Sequence, residues 1–405
     1  MTDQTIAIIG ASLAGAKAAE SARTAGFDGR VVLVGDEPTA PYERPPLSKD
    51  VLRGDKDPDS ASVHPDGFYD EHRIELITDR AIALDVTART IELTHGSAIR
   101  FDRAILATGA APRRLDVPGA DLDGVHYLRT VDDAARLRAA IRTGGRVAVI
   151  GAGWIGSEVA ASARQMGASV VLIDPAPVPL HRVLGDEIGA VFAQLHADHG
   201  VELRLGTGVA AVRGDQHVEQ VVLDDGRVEA ADIVVAGLGV TPRTELADAA
   251  FGLRVDNGIV VNEHLETNVE GIFAAGDVAN AWHPRLGRYL RVEHWSNALH
   301  QGTLAGRNAA GERETYDRLP YFFSDQYDLG MEYVGYADTG DAVVVRGDTA
   351  SREFIAFWHR DGIVTAAMNV NVWDVVEDLR ALIEAGQTID PARLSAPDIK
   401  ISDLP

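Results

Sequence analysis

The sequence predicts an α/β fold: two doubly wound parallel-sheet domains, one nested inside the other, followed by a C-terminal α+β domain. Three observations carry this expectation. An apolar run, a glycine turn, an alanine-rich helix and a second apolar run follow one another in TIAIIGASLAGAKAAESARTAGFDGRVVLVGDE, residues 5 to 37. The same order returns in RVAVIGAGWIGSEVAASARQMGASVVLID, residues 146 to 174. Residues 319 to 405 read instead as short alternating strands and one helix, the mark of a separate α+β unit.

In the first stretch, residues 6 to 9 suit a buried parallel strand. Gly10, Ser12 and Gly15 then open a helix at the spacing that brings backbone N–H groups and the positive helix end to a pyrophosphate. Ser12 stands in the middle position, where glycine is usual; it is small enough to keep close approach open, but the signal is weaker. Asp36 and Glu37 end the second strand, where a carboxylate accepts the hydrogen bonds of a ribose diol. From residue 36 to 65 the chain is rich in Pro, Asp and Gly and contains PYERPPLSKD, so an ordered loop is expected; Arg44 and Lys49 lie in it. Strands are expected over residues 74 to 84 and 90 to 93. AILATGAAP, residues 104 to 112, reads as a buried strand ending in a tight turn at Thr108-Gly109.

A polar helix over residues 131 to 142 precedes the second stretch, which has the full set Gly151, Gly153 and Gly156 and closes on Asp174. Ile155 lies inside this turn. Two such units imply two dinucleotides and two nested domains. Strands follow at residues 201 to 205, 221 to 223 and 233 to 235, and GLGVTP, with Gly239, is the exit from the second domain. The strand at residues 272 to 275 breaks at Gly276-Asp277; either Asp277 caps a helix beginning near Val278, or it serves a ligand. The last domain is expected to hold strands at 332 to 335, 342 to 346, 353 to 359 and 363 to 370, a helix at 372 to 384 and a polar tail.

Composition narrows the function classes. With 405 residues, 46% of them hydrophobic, the chain can bury the cores of two or three domains. No apolar run approaches membrane-spanning length and the opening MTDQT lacks a leader's basic and apolar regions, so a cytoplasmic protein is expected. A net charge of -23 disfavours nucleic acid and anionic membrane as main partners. The absence of cysteine removes disulfides, thiolate nucleophiles and cysteine-ligated metal from this chain's own chemistry. Beyond His294 and His300 no histidine pair has ligand-like spacing, and no metal is expected.

VGDE followed by PYERPPLSK, then LATGAAPR, YLRT, GAGWIGSE, FAAGDVA, RVEHWSNALHQG and PYFFSDQY occur in an order that resembles the glutathione-reductase-type flavoproteins, and among them the single-chain ferredoxin reductases. The resemblance spans nearly the whole chain. It implies a FAD domain over residues 1–110 and 242–318, an NAD domain over 111–241 and an interface domain over 319–405. It also implies flavin contacts at Ala14, Asp36, Lys49, Ile82, Arg129, Asp277 and Trp295, with Arg44 near the phosphates. Phe323 departs from the pattern, standing where several members have tryptophan. Physical chemistry supports some of these roles independently: Asp277 can accept ribityl hydroxyls, Arg129 can neutralise pyrophosphate, and a cation such as Lys49 favours an electron-rich reduced ring. Glu158, after Gly156, is the carboxylate expected to hold Lys49.

The implied activity is hydride transfer from NADH to FAD, then single-electron transfer to a small iron–sulfur ferredoxin that serves a cytochrome P450 or ring-hydroxylating oxygenase. A cysteine-free NADH oxidase or diaphorase and an apoptosis-inducing-factor-like flavin-bound scaffold share the architecture and are the alternatives. Disulfide reductase or peroxidase chemistry through a redox cysteine is excluded. Small ferredoxins are generally acidic, and the most basic stretch, from Arg285 to Arg318, has six arginines against four acidic residues and is the docking face expected.

Overall fold

A computed structural model describes residues 3–142, 144–250 and 252–405; Met1 and Thr2, the start of the opening MTDQT, lie outside the described residues. The chain forms two compact units. The first comprises residues 1–44, 59–111 and 240–318, and the second residues 45–58, 112–239 and 319–405. The proline-rich segment 45–58, expected with the first domain, therefore belongs to the second unit, as does the C-terminal sheet.

The first unit is built on a five-stranded parallel sheet in the order Ile272–Ala274, Arg103–Leu106, Thr5–Ile9, Arg30–Gly35, Ile74–Thr78. Its central strand pairs Ile6 with Val31 on one side and with Arg103 on the other. Continuous apolar runs such as Ile6 to Ile9 and Val31 to Val34 are what a strand covered on both faces requires, and all eight residues are buried. Helix Leu13–Thr24 packs against helix Trp295–Ala310 at close range because small residues line the seam. A Cβ on Gly302 would lie 2.3 Å from the Ala14 carbonyl oxygen, and one on Gly306 would lie 2.1 Å from that of Ala18.

Where a strand was expected over residues 74 to 84, two form, Ile74–Thr78 and Ala81–Asp85, interrupted at Asp79-Arg80. The second belongs to a small antiparallel sheet with Thr90–Leu93 and Ala98–Arg100. No helix begins near Val278. Gly276–Val278 is a single turn and the chain runs straight into strand Ala279–His283, so the helix-capping role considered for Asp277 is removed.

In the second unit the parallel sheet has the order Glu202–Leu205, Ser169–Asp174, Arg146–Ile150, Ile233–Ala236, Val125–His126. Helix Trp154–Gln165 follows the glycine turn. The proline-rich loop is more ordered than its breakers suggest: Pro45–Ser48 is a 3-10 turn and Asp50–Arg53 a helical turn. The C-terminal sheet is antiparallel, in the order Tyr321–Gln326, Leu329–Gly335, Ile363–Val370, Glu353–Arg360, Ala342–Asp348. Helix His181–Asp198 packs Leu184, Ile188, Phe192 and Leu195 into one core with Met331, Tyr333, Phe354 and Trp358 of this sheet. The expected polar tail is docked. Buried Arg346 donates to the carbonyls of Leu394 (2.6 Å), Ile399 (2.9 Å) and Arg393 (3.1 Å), and Leu394 and Ile401 are buried.

Candidate functional site: two glycine turns and a buried lysine–glutamate pair

The two glycine turns repeat one geometry. Gly10 and Gly151 have φ of +114° and +101°, and a Cβ there would stand 2.0 Å from the Ala107 oxygen and 2.4 Å from the Gly237 oxygen respectively. Gly15 and Gly156 lie under the same turns: a Cβ would come within 1.9 Å of the Gly10 oxygen and 1.8 Å of the Gly151 oxygen. These four positions need glycine for the protein's own packing. The middle position differs. A Cβ on Gly153 would meet nothing within 4 Å, and its φ of -76° is open to any residue, as is the -120° of Ser12. The middle position therefore faces open space above the helix end, which explains why serine fits the first turn. Neither helix has an acidic residue in its first turn or a side chain capping its N-terminus, so the donors and positive dipole end face outward, a donor set suited to a pyrophosphate.

Around the first turn, Gly276 sits against Ala14: a Cβ on it would be 3.1 Å from the Ala14 Cβ. Its N–H donates to Oε1 of buried Gln301, a residue sequence reasoning missed (2.9 Å). Asp277 is next in this turn, and Trp295 is the first residue of helix Trp295–Ala310, whose Gln301 holds the turn. Asp36 lies 3.6 Å from Arg243. Glu37 accepts from Tyr42 Oη and pairs with Arg44 (3.2 Å), so Arg44's counter-ion is Glu37. Thr108 donates its hydroxyl to the Arg243 carbonyl (2.7 Å) and the Gly109 carbonyl accepts the Arg243 N–H (2.9 Å), tying the strand end to the returning chain. Ile82 is exposed on the small antiparallel sheet.

Around the second turn, Asp174 accepts the N–H of Ala152 (2.6 Å) and of Ala176 (2.8 Å), which holds its carboxylate at the mouth of the turn with further lone pairs to offer. Ile155, in the first turn of helix Trp154–Gln165, is exposed. Gly239, with φ of +81°, accepts the N–H of Arg113 (2.9 Å). Arg129 belongs to this unit, just before helix Val131–Arg142, with its own N–H on the Asp133 carboxylate (3.1 Å).

Lys49 and Glu158, 109 positions apart in sequence, meet at 2.8 Å with side chains 13% and 5% exposed. A carboxylate so far from water needs several donors, and Glu158 has three. Besides Lys49, Ser48 Oγ donates to Oε2 (2.5 Å) and Ser324 Oγ to Oε1 (2.7 Å). The Lys49 ammonium also lies 5.6 Å from the centre of the Phe323 ring, in cation–π range. Sequence reasoning missed Ser48 and Ser324. The signal was present in PYFFSDQY, where Ser324 and Gln326 alternate on the buried face of strand Tyr321–Gln326 while Asp325 points outward.

The sequence profile of the family described as pyridine nucleotide-disulphide oxidoreductase matches residues 4–302, and that described as reductase C-terminal matches residues 321–404. The chain belongs to the pyridine nucleotide-disulphide oxidoreductase family. Within this family it is 42% identical to rhodocoxin reductase of Rhodococcus erythropolis over 355 residues, 87% of this chain and 83% of that one. It is 40% identical to the anthranilate 1,2-dioxygenase system ferredoxin–NAD(+) reductase component of Burkholderia cepacia, over 98% of each. Among solved structures, the covalent putidaredoxin reductase–putidaredoxin complex superposes with a TM-score of 0.95 at 34% identity, over 99% of this chain and 98% of that one. Although its family is named for a disulphide, this chain has no cysteine and performs no redox chemistry through one of its own.

Proposed function

We propose that this oxidoreductase is an NADH-dependent, FAD-containing ferredoxin reductase, and that its acceptor is a small iron–sulfur ferredoxin serving a cytochrome P450 or a ring-hydroxylating oxygenase. The observation that carries the reading is the repeated turn with an open middle position, one in each unit, in a chain without cysteine. Rhodocoxin reductase, similar over 83% of its length, and a relative named as the ferredoxin–NAD(+) reductase component of an anthranilate 1,2-dioxygenase system, similar over 98% of its length, support it. FAD, when bound, would supply the chemistry that takes one hydride, two electrons, from NADH and releases the electrons singly.

The protein's own residues do the rest. In the first unit, the outward-facing donors of helix Leu13–Thr24 hold the FAD pyrophosphate, with Ser12 and Ala14 leaving room for it. Asp36 accepts from the adenosine ribose and Asp277 from the ribityl hydroxyls. In the second unit, the donors of helix Trp154–Gln165 hold the NADH pyrophosphate and Asp174 its ribose diol. The reading gives the Lys49–Glu158 pair the role of a fixed positive group that favours the electron-rich reduced cofactor, with Ser48 and Ser324 donating to Glu158. The reading assigns residues 1–110 and 242–318 to FAD, 111–241 to NAD and 319–405 to the partner-facing domain, and it places the protein in the cytoplasm. Among the described residues no helix is long and apolar enough to cross a membrane.

Flavin content tests the reading directly. The purified protein is expected to carry one FAD per chain, and Asp277→Ala to lose it more readily on dialysis. A protein that takes up no flavin on reconstitution contradicts the reading.

A further inference from the structure

Behind the Lys49–Glu158 pair lies a row of buried polar side chains that the electron-transfer reading does not use. Ser324, Gln326 and His196 are 0%, 1% and 0% exposed, in a region otherwise packed with Leu184, Ile188, Phe192, Met331 and Tyr333. Ser324 Oγ donates to Glu158 Oε1 (2.7 Å), and Gln326 Nε2 donates to Ser324 Oγ (3.3 Å). His196, on helix His181–Asp198, has Nδ1 3.5 Å from Tyr327 Oη. Its Nε2 and Gln326 Oε1 are both buried without a hydrogen bond. The continuous part of the row runs from Gln326, whose amide donates to Ser324, to the Ser324 hydroxyl, which ends on the carboxylate. Strand Tyr321–Gln326 has serine and glutamine at its two buried positions and forgoes apolar burial at both, and the Gln326 amide and Ser324 hydroxyl each point a donor towards Glu158.

We propose that Gln326 and Ser324 form a positioning row that fixes Glu158, and through it the Lys49 ammonium, so that the C-terminal sheet sets the geometry of the pair. The proposal deepens the reading above and rests on the Lys49–Glu158 pair acting in flavin reduction. The contacts run from Gln326 to Ser324 to Glu158 to Lys49, so the effect of the two residues on Lys49 passes through Glu158.

The test uses two readouts. The chain has four lysines, Lys17, Lys49, Lys56 and Lys400, so competitive acetylation followed by mass spectrometry reports Lys49 against three internal standards, without flavin. Stopped-flow reduction of the flavin-loaded enzyme by NADH gives the rate at saturation and the NADH concentration at half-saturation. Ser324→Ala and Gln326→Met are each expected to raise Lys49 acetylation about fivefold, the equivalent of one lost hydrogen bond, and to slow flavin reduction with little change in half-saturation. Ser324→Thr restores both. Glu158→Gln is the control. If it raises acetylation while Ser324→Ala and Gln326→Met leave it at the parent level, the row is filler and the proposal is overturned. If Glu158→Gln itself leaves acetylation unchanged, the carboxylate does not hold the amine and the proposal falls as well. If Glu158→Gln changes acetylation but not flavin reduction, the failure belongs to the electron-transfer role of the pair, and acetylation still decides the row.

Discussion

Lys49 is held by a carboxylate that has two other donors and almost no water, so removing either partner leaves the other buried without its counter-charge. For that reason Glu158→Gln, which keeps the shape, separates chemistry from folding better than alanine. Lys49→Ala and Glu158→Gln are expected to slow flavin reduction by NADH roughly tenfold or more, with a smaller effect on NADH binding. Equal reduction rates in rapid mixing would make the pair merely structural. Asp174 argues for NADH. A 2′-phosphate about 4 Å from its carboxylate is repelled by about 1 kcal/mol in water and about 4 kcal/mol at an effective dielectric of 20, or roughly fivefold to several-hundredfold in kcat/KM. Asp174→Asn narrows that ratio; an unchanged ratio shows that Asp174 does not face the ribose. His196 bears on stability. Burial pushes it down to about 4 from an ordinary value of 6.5, so the unfolded chain takes up a proton that the folded chain refuses. The stabilisation is present above pH 6.5 and is lost as pH falls from there towards 4. Between pH 7 and 4.5 the parent should lose about 2–3 kcal/mol more unfolding free energy than His196→Gln, as read by denaturant titration; parallel losses contradict this account.

At the level of elements, the glycine turns were legible in the sequence because part of their constraint is local: a positive φ at Gly10 and Gly151, and at Gly15 and Gly156 a backbone oxygen five residues back, leave glycine no substitute. The same logic predicts an asymmetry. Gly156→Ala, whose Cβ would strike the Gly151 oxygen, should cost about 1–3 kcal/mol by denaturant unfolding, while Gly153→Ser should be near neutral for stability. Equal losses in both would mean the middle position is packed rather than open. Strands of the two parallel sheets were likewise readable, since burial on both faces writes an unbroken apolar run. What was not legible shares one feature, long sequence separation. Ser48 and Ser324 reach Glu158 across 110 and 166 positions, which no local period reports. The expected helix at Val278 failed because Gly276-Asp277 turns the chain into a strand. The tail read as polar because what anchors it, Arg346, lies 47 to 53 residues upstream. Thr108 and Glu37 were read as cofactor ligands by position; the protein partners they also have, the Arg243 carbonyl and Tyr42, lie beyond what composition shows.

For the molecule as a whole, a net charge of -23 sets a long-range field that repels an acidic partner, and the arginine-rich stretch offers less relief than its count suggests. Arg291 is paired with Glu293, Arg307 with Glu314 at 2.9 Å and Arg285 with Asp317 at 3.8 Å, all within the stretch itself. Electron delivery to a ferredoxin is accordingly expected to quicken as salt screens the repulsion, up to the point where short-range contacts are screened too. The central claim is that electrons from NADH leave this chain one at a time to an iron–sulfur acceptor. Anaerobic mixing of the flavin-loaded enzyme with NADH and a small ferredoxin, followed by the bleaching of the ferredoxin's visible absorbance, measures it most directly. The account predicts about two ferredoxins reduced for each NADH oxidised, with slow NADH consumption when oxygen is the sole acceptor. Rapid NADH oxidation by oxygen alone, unaltered by ferredoxin and leaving the ferredoxin oxidised, would contradict it.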